Sequence, residues 1–266
     1  DVYKRQELVI FCSKGKNSGD GFLLACFAKE FGLEVTVVMS NSASELKGIT
    51  SKAFQEMKDA KVKVITAKSA NKIKVSNKAV IVDALIGTGL KGKIRKNIQD
   101  SILLLNRLGL KSPVISLDIP SGIDSDTGHV KDICVYADIT ATFVAQKRGC
   151  FTSIGKKASG EVIYSNLEIP KKIFSGVKAQ SEIIDNRNSL SKIIYREEDA
   201  HKGNFGHALI IGGDRGLGGA GILASRAAVY SGAGLTSLVT RPEHISASLV
   251  SCPEVMVKGV DSGQDL

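Results

Sequence analysis

The sequence predicts an α/β protein: a Rossmann-like three-layer sandwich with a mostly parallel sheet between helices, followed by the beginning of a second α/β domain. Three observations indicate this fold class. Apolar runs of strand length alternate with helical patterns over residues 8–169, which is typical of parallel sheets with helical crossovers. A glycine-rich turn joins the first run to the first helical pattern. A similar order of strand, glycine turn and helix starts again near residue 207.

The strands are predicted from short apolar stretches bounded by polar and turn residues. In chain order, those of the first domain are Leu8–Cys12, Glu34–Met39, Val62–Thr66, Ala79–Leu85, Val114–Leu117, Ile139–Val144 and Gly160–Ile169. In the second domain, His207–Gly213 is predicted to be a strand that ends in a glycine turn.

The helices are predicted from apolar residues at helical spacing and from start signals. Asp20–Phe31 carries such spacing, and Ile94–Leu108 is amphipathic. Ser42 and Glu45 have the spacing of a capping box ahead of a helix that ends near Ala60. Residues 219–234 are predicted to form a helix of small residues in the second domain.

The composition excludes several classes of protein. The 266 residues are 43% hydrophobic and 24% charged, as in globular domains. The longest apolar runs fall far below the ~18 residues of a transmembrane helix, so we expect no membrane association. The net charge of +9 is spread along the chain without interleaved aromatic residues, which disfavours nucleic-acid binding. The five cysteines lack metal spacing, so we expect reduced thiols and a cytoplasmic location.

Domain limits follow from a change of pattern after Pro170. Residues 1–175 are predicted to form the first domain, residues 176–195 a linker, and residues 196–266 the start of the second domain. Asp1 stands where an initiator Met would be, and the chain stops soon after the second α/β pattern begins. We therefore expect a fragment that is truncated at both ends.

The turn KGKNSGDGF, residues 14–22, is the first candidate binding site. Its glycines permit close backbone approach, and the N-terminus of the following helix attracts an anion. The helix dipole alone contributes only about 0.3–1 kcal/mol, so specificity must come from side chains such as Lys16, Asn17 and Asp20. The alternative is a turn that merely closes a βα unit.

Two carboxylates are predicted at the carboxyl ends of strands, where open parallel sheets place their ligands. Asp83 interrupts VIVDALIG, and Asp118 ends ISLD before IPSGID. A buried carboxylate is costly unless it is hydrogen-bonded, paired or bound to a cation. Because Asn17 is predicted at the same edge, the two aspartates favour a binding site. The alternative is that each aspartate merely caps the start of a loop. The hydroxyl of Ser121 could serve as a further oxygen ligand.

The loop GTGLKGK, residues 87–93, offers further backbone N–H groups. Lys91 would supply a point charge for phosphate. The alternative is that Lys91 is a solvated surface lysine.

Sequence blocks spaced over roughly residues 8–257 carry a family resemblance. KGKNSGDGF, VDALIGTGLKGK and SLDIPSGID, in this order, resemble the YjeF N-terminal family, the NAD(P)H-hydrate epimerases. The second unit, from HKGNFGHALIIGGDRGLGGAG onward, resembles the start of the ADP/ATP-dependent NAD(P)H-hydrate dehydratase domain, a relative of ribokinase-like folds. Bacterial bifunctional members of the family join the two domains in this order.

The resemblance implies repair of nicotinamide cofactors that have gained water at C6 of the ring, the hydrates NADHX and NADPHX. The epimerase interconverts the R and S hydrates, and the dehydratase removes water from the S form at the expense of a nucleotide triphosphate. For the full-length protein it implies K⁺ in the epimerase domain, ATP or ADP with Mg²⁺ in the dehydratase domain, and a homo-oligomer. Because the later nucleotide-binding loops of the dehydratase and the turn that carries its catalytic carboxylate are missing from this sequence, we expect the second activity to be absent. The N-terminal helices of the epimerase domain are missing as well, so we expect this fragment to fold poorly or bind weakly.

The resemblance also implies roles for individual residues. The implied substrate contacts are Lys16, Asn17, Ser18, Gly19, Asp20, Gly87, Thr88, Gly89, Leu90, Lys91, Gly92, Lys93, Asp118 and, in the second unit, Ala220. The implied potassium ligands are Asn17, Asp83 and Ser121. Our hypothesis for the chemistry is that Asp118 acts as general acid and base on the C6 hydroxyl, with Lys91 holding phosphate or assisting proton transfer.

Two other functions compete with this one. A non-catalytic dinucleotide-binding or scaffold module would keep the fold without activity. A fragment of a ribokinase-like small-molecule kinase is suggested by GGDRGLGGAG alone. The retained Asp118, Asp83 and Asn17 weigh against the first alternative, and the N-terminal blocks weigh against the second.

Overall fold

The computed structural model describes residues 7–70, 73, 75–76, 78–90, 92–177, 179, 181–184 and 197–265. The chain divides into two compact units, one up to Glu182 and one from Ile183 onward. Lys91 and most of the predicted linker lie outside the described residues. The limits of the linker therefore stay a prediction.

The first unit contains a seven-stranded sheet in the order β3-β2-β1-β4-β5-β6-β7. All neighbouring strand pairs are parallel. The strands are β1 (Glu7–Cys12), β2 (Glu34–Met39), β3 (Lys63–Thr66), β4 (Val80–Ala84), β5 (Val114–Leu117), β6 (Ile139–Phe143) and β7 (Glu161–Ser165). The helices are α1 (Lys16–Glu30), α2 (Gly48–Asp59), α3 (Ala67–Ala70), α4 (Lys96–Gly109), α5 (Ser153–Ala158) and α6 (Lys171–Phe174).

Strand β1 lies inside the sheet, and its sequence is apolar without a break because both of its faces are buried. Val9 and Phe11 pack into the core on one face of the sheet, and Ile10 and Cys12 pack into the core on the other. All four are fully buried. Because successive side chains point to opposite faces, a strand covered on both sides needs apolar residues at every position.

Helices cover both faces of the sheet. Phe22 of α1 and Met57 of α2 belong to the core cluster on one face, and Phe22 meets Phe54 edge to face at 5.2 Å between ring centroids. Ile102 and Leu105 of α4 belong to the cluster on the other face. The predicted three-layer, Rossmann-like architecture is therefore confirmed.

The first helix begins earlier than predicted. The sequence places it from Asp20, whereas α1 begins at Lys16 with Gly15 as its N-cap. Of the glycines that predict a turn, Gly21 lies inside the helix where the sheet packs closely against it. A Cβ built on Gly21 would lie 2.6 Å from the Cβ of Ala84 and 2.9 Å from the Sγ of Cys12.

The predicted capping box is confirmed, although the helix after it is interrupted. Ser42 and Glu45 cap a short 3-10 turn over Ala43–Glu45, and α2 starts only at Gly48. Leu46 lies between the two, extended and 7% exposed, with its side chain in the core. Burial of this side chain accounts for the break in the helix.

The second unit contains a three-stranded parallel sheet in the order β10-β9-β8. Its strands are β8 (His207–Ile211), β9 (Leu235–Thr240) and β10 (Met256–Gly259), and its helices are α7 (Gly219–Tyr230) and α8 (Ile245–Ser251). Leu238, Cys252 and Val255 form a small core. The predicted strand and small-residue helix are thus confirmed, with the helix ending four residues earlier than residue 234.

In the described part of the chain, every helix falls short of the length and apolarity that crossing a membrane requires.

Substitution of Gly21 by Ala tests the contact between α1 and the sheet. We expect the free energy of unfolding to fall by about 1–3 kcal/mol, because the added methyl overpacks the space beside Ala84. Urea denaturation measures this. Gly19→Ala is the matched control in the same helix, since its Cβ would meet Thr50 at an ordinary 3.7 Å. Equal stability of the two variants would contradict the close packing at Gly21.

Candidate active site at the carboxyl edge of the sheet

A cleft of about 600 Å³ opens at the carboxyl ends of β1, β4 and β5. The strand order reverses between β1 and β4, because β1 leads outward to β2 and β3 while β4 leads outward to β5, β6 and β7. Such a switch point leaves a crevice between the loops that follow the two central strands. The predicted site lies at this edge.

The N-terminus of α1 forms one wall of the cleft. Gly15 has extended backbone and supplies no side-chain cap, so the first N–H groups of the helix suit an anion. Lys16, Asn17 and Asp20 line the cleft as predicted. Ser18 is instead fully buried and donates a 2.7 Å hydrogen bond to the Ala84 carbonyl oxygen.

Gly19 is also buried, against α2. Ser18 and Gly19 therefore fix the helix against the fold, and a direct substrate contact for either stays a prediction.

The loop after β4 forms the opposite wall. Its lining residues are Gly87, Thr88, Gly89, Leu90 and Lys93. A Cβ on Gly87 would lie 3.1 Å from Asp118 Oδ2 and 3.4 Å from Asn17 Cβ. The loops after β1, β4 and β5 thus meet at Gly87. Gly92 lies in the same loop, and its contact with substrate stays a prediction.

Asp83 lies beneath the cleft with its side chain fully buried. Its carboxylate accepts four hydrogen bonds, from Ser121 Oγ (2.6 Å), Ser121 N (2.8 Å), Ser116 Oγ (2.9 Å) and Leu85 N (3.2 Å). All four donors are neutral, so they solvate the charge without neutralising it. Burial raises the pKa of Asp83, and the hydrogen bonds from Ser121, Leu85 and Ser116 oppose that rise.

Of the other two predicted potassium ligands, Ser121 contacts this carboxylate. Ser121 bonds it directly, while the amide nitrogen of Asn17 donates to the Leu117 carbonyl oxygen at 3.2 Å. The Ser121 hydroxyl has a second acceptor, the Ile86 carbonyl oxygen at 3.1 Å. If its proton turns there, Asp83 Oδ1 keeps only the hydrogen bond from Leu85 N and gains room to ligate a cation. The donor set therefore fits a hard cation, which prefers oxygen ligands.

Asp118 occupies an unusual backbone position. Its φ is +70°, and its N–H donates to the Ala141 carbonyl oxygen at 2.7 Å. Left-handed backbone in a residue other than glycine costs on the order of 1–3 kcal/mol and clusters at functional sites. Here it ends β5 abruptly and leaves the carboxylate lining the cleft.

Lys147 is the partner of Asp118, and the sequence analysis missed it. Its ammonium forms an ion pair with Asp118 Oδ1 and donates to the Phe143 carbonyl oxygen at 2.7 Å. The two side chains are 14% and 19% exposed, so water screens the pair weakly. Lys147 follows β6 as Asp118 follows β5, and the same strand-end rule could have found it.

The charge of the cleft is mixed but mainly positive. Lys14, Lys16, Lys93 and Arg95 line it together with Asp20 and Asp118. Although Asp20 is exposed as a whole residue, partial burial of its carboxyl raises its pKa, and the nearby Asp118 charge raises it further. The basic side chains and the open end of α1 make the cleft suited to phosphate groups.

Of the two remaining predicted site residues, one is not among the described residues and the other belongs to the second unit. Lys91 is not among the described residues. Ala220 is exposed in the first turn of α7, in the second unit, and its substrate contact stays a prediction. Within the described ranges, no group of three or more His, Cys, Asp or Glu side chains could hold a metal ion. The predicted potassium ligands Asn17, Asp83 and Ser121 are not such a group, because only one of them is a His, Cys, Asp or Glu.

Comparison with known protein families shows to which family this chain belongs. A family described as "YjeF-related protein N-terminus" matches residues 2–149, more than half of the chain. The chain belongs to the YjeF-related family. A second family, described as "NAD(P)H-hydrate dehydratase", matches residues 208–266, in agreement with the resemblance drawn from the sequence.

Curated relatives of this YjeF-related chain carry both regions. The bifunctional NAD(P)H-hydrate repair enzyme Nnr of Coxiella burnetii is 37% identical over 98% of this chain and 52% of its own length. The bifunctional repair enzyme of Leishmania infantum is 34% identical over 97% of this chain and 47% of its own length, and that of Escherichia coli is 32% identical over 94% and 47%. The chain thus spans about half the length of the curated relatives it matches.

A solved structure supports the fold of the YjeF-related unit. The yeast protein ynu0 (YNL200c) matches with a TM-score of 0.53 at 20% identity, covering 62% of this chain and 68% of the yeast chain. At this identity the likeness shows the fold alone.

A double-mutant cycle tests the pair of Asp118 and Lys147. For Asp118→Asn, Lys147→Met and the double variant, we expect a coupling free energy of about 1–3 kcal/mol at neutral pH, because the pair is shielded from water. Urea denaturation of the four proteins measures it. The exposed pair of Lys14 and Glu45, 2.7 Å apart, is the control cycle and should couple far less. No coupling between Asp118 and Lys147 would contradict the geometry.

Proposed function

We propose that the first unit is an NAD(P)H-hydrate epimerase, which interconverts the R and S forms of NADHX and NADPHX. One observation carries this proposal: Asp118 lies in the cleft with Lys147 on one of its oxygens. A carboxyl group held in this way is suited to move a proton to and from a ring hydroxyl. The names of the curated relatives point to the same class of reaction.

Binding of the dinucleotide would use both walls of the cleft. The pyrophosphate would lie at the N-terminus of α1, near Lys16 and the backbone of the loop that begins at Gly87. The damaged nicotinamide ring would lie beside Asp118. This placement is supported by the meeting of Asn17, Gly87 and Asp118 at one point of the cleft.

The reaction would proceed through loss and return of water. Lys147 holds Oδ1 of Asp118, while Oδ2 lies nearest to Gly87, so Oδ2 would exchange the proton. Protonation of the C6 hydroxyl by Asp118 breaks the C6–O bond and releases water, and the ring nitrogen lone pair forms an iminium. Water then adds to either face of C6 and returns its proton to Asp118. Lys147 would keep the carboxyl in place and stabilise the carboxylate that exists after Asp118 gives up its proton and before it regains one.

Potassium would be held by Asn17, Asp83 and Ser121, where it supplies the positive charge that Asp83 lacks. Neutralised Asp83 would brace Ser121 and the loop after β4, and that loop lines the cleft. The raised pKa of Asp83 and its four neutral donors support this assignment.

For the full-length protein we propose the second activity of its relatives: dehydration of the S hydrate with ATP or ADP and Mg²⁺ in a ribokinase-like domain. The match of residues 208–266 to the dehydratase family supports this. A homo-oligomeric state and a cytoplasmic location complete the proposal. The first rests on the family resemblance and the second on the dispersed cysteines.

Epimerase activity is tested by recovery of reduced-nicotinamide absorbance from R-NADHX, with ATP and a separate S-specific dehydratase. We expect this chain to accelerate recovery over spontaneous epimerisation. Asp118→Asn should lower the rate by at least 100-fold, because general acid–base catalysis typically contributes 10²–10⁴-fold.

Asp126→Asn is the control for Asp118→Asn, since it removes an exposed carboxylate from the loop after β5. It should leave the rate unchanged. A fully active Asp118→Asn variant would overturn the role of Asp118. A folded wild-type chain that binds R-NADHX without accelerating recovery would instead favour a binding module.

Potassium is tested by its effect on stability. The raised pKa of Asp83 means that the folded chain binds this proton more tightly than the unfolded chain does. Stability should therefore fall as the pH rises above 3.8, the ordinary value. Bound potassium favours the ionised form and offsets this loss. We expect KCl to raise Tm relative to tetramethylammonium chloride at pH 7, and less so near pH 4.

The expected stabilisation is about 2.7 kcal/mol at a potassium concentration 100 times the dissociation constant. In Asp83→Asn the difference between the two salts should disappear, whereas Asp126→Asn should keep it. Equal Tm values for wild type in both salts would contradict the potassium site.

A further inference from the structure

A second cavity, of about 640 Å³, lies at the carboxyl ends of β2 and β3. Ser40 and Asn41 follow β2, and Lys68 follows β3 in α3. The side of α4 that carries Asn97 and Arg107 closes the cavity. Asn97 donates to the Ser40 carbonyl oxygen at 2.7 Å, which ties α4 to the end of β2.

This cavity adjoins the cleft described above. Asn41 lines both, and α4 contributes Ile98 to the first and the neighbouring Asn97 to the second. Along the sheet edge, the order is Asp118 after β5, the α1 N-terminus after β1, Asn41 after β2 and Lys68 after β3. The two cavities are therefore successive parts of one edge.

A dinucleotide has a nucleoside at each side of a charged pyrophosphate. If the nicotinamide lies at Asp118 and the pyrophosphate at α1, the adenosine must continue along the edge toward β2 and β3. Doubly wound sheets bind dinucleotides across the switch point in this way. This step rests on the proposed function, which fixes the nicotinamide end.

The polar groups of the second cavity indicate whether it suits an adenosine with or without a 2′-phosphate on its ribose. Sites that recognise an unphosphorylated ribose place a carboxylate about 20 residues after the glycine turn, whereas an added 2′-phosphate calls for a basic side chain. Here that position holds the neutral Ser40 and Asn41. The charged groups that line the cavity are Lys68, Arg107 and Asp100.

The charge of Asp100 is offset by Lys96 on the same helix, 3.0 Å away. Asn41 donates a hydrogen bond to Glu45, and Lys14 forms an ion pair with Glu45. The hydrogen bonds from Lys14 and Asn41 lower the pKa of Glu45 to about 2. Neither carboxylate therefore leaves an unpaired negative charge against a phosphate, and Lys68 and Arg107 make the cavity basic.

We infer that this cavity binds the adenosine end of the substrate and its 2′-phosphate, so that the chain discriminates in favour of NADPHX over NADHX. Lys68 is the specificity-determining side chain, acting as a point charge on the phosphate.

The test is calorimetric binding of ADP-ribose and 2′-phospho-ADP-ribose to the full chain. These probes lack the nicotinamide ring and so report binding apart from the reaction. We expect the 2′-phosphorylated probe to bind about tenfold more tightly, as one charged hydrogen bond provides. Lys68→Ala should remove this difference. Lys58→Ala, an exposed lysine on α2, should retain it and controls for overall charge.

Turnover gives a second readout. Lys68→Ala should raise KM for NADPHX about tenfold, leave KM for NADHX unchanged and spare kcat for both, because the reacting ring lies at the other end. Equal affinity for the two probes in wild type, or an unchanged ratio in Lys68→Ala, would overturn the inference. A lysine-dependent ratio without epimerisation of R-NADHX would uphold the phosphate site and refute the epimerase assignment.

Discussion

The buried carboxylate of Asp83 is the constraint on which the candidate site depends. Asp83 is the penultimate residue of the central strand β4. Its hydrogen bonds join β4 to β5 through Ser116, to the following turn through Ser121, and to its own loop through Leu85. The loop that starts at Leu85 lines the cleft, as does Asp118 directly after β5. A charge buried among neutral donors is expensive, and no gain in packing explains an aspartate in an otherwise apolar strand. Its cost is understandable if the carboxylate organises the loops and holds a cation, which links the fold to the proposed chemistry.

The second organising feature is strained backbone beside Asp118 and Lys147. Asp118 has a φ of +70° and Val144 a φ of +67°, and positive φ is a genuine outlier for a β-branched residue. One kink ends β5 at the carboxylate, and the other turns the chain after β6 so that the Lys147 ammonium reaches back to Phe143 and Asp118. The ion pair stabilises two local conformations that the chain would otherwise avoid. Because strain of this kind persists only where its surroundings enforce it, its location supports a functional role for the pair.

Different loops at the carboxyl edge of the sheet carry different kinds of functional group. Loops on the β4, β5 and β6 side carry the groups suited to proton transfer, the α1 N-terminus suits phosphate, and the β2 and β3 loops supply a basic cavity. This division follows from the strand order, which reverses beside β1 and so sends successive loops away from one central crevice.

The sequence by itself determined the fold class, the strands of the first unit, strand β8 of the second unit and the loops that bear the site. Continuous short apolar runs such as Leu8–Cys12 indicate strands covered on both faces, and glycines, prolines and capping residues mark where they stop. It also determined that Asp83, Asp118 and Asn17 lie at one edge, because parallel strands end together. Only the tertiary structure decided which side chains meet. Lys147 pairs with Asp118 across 29 positions of sequence, Ser18 turns into the core, and Asn41 borders two cavities. No local pattern contains these contacts, since they depend on backbone kinks and on neighbouring strands that are distant in the chain.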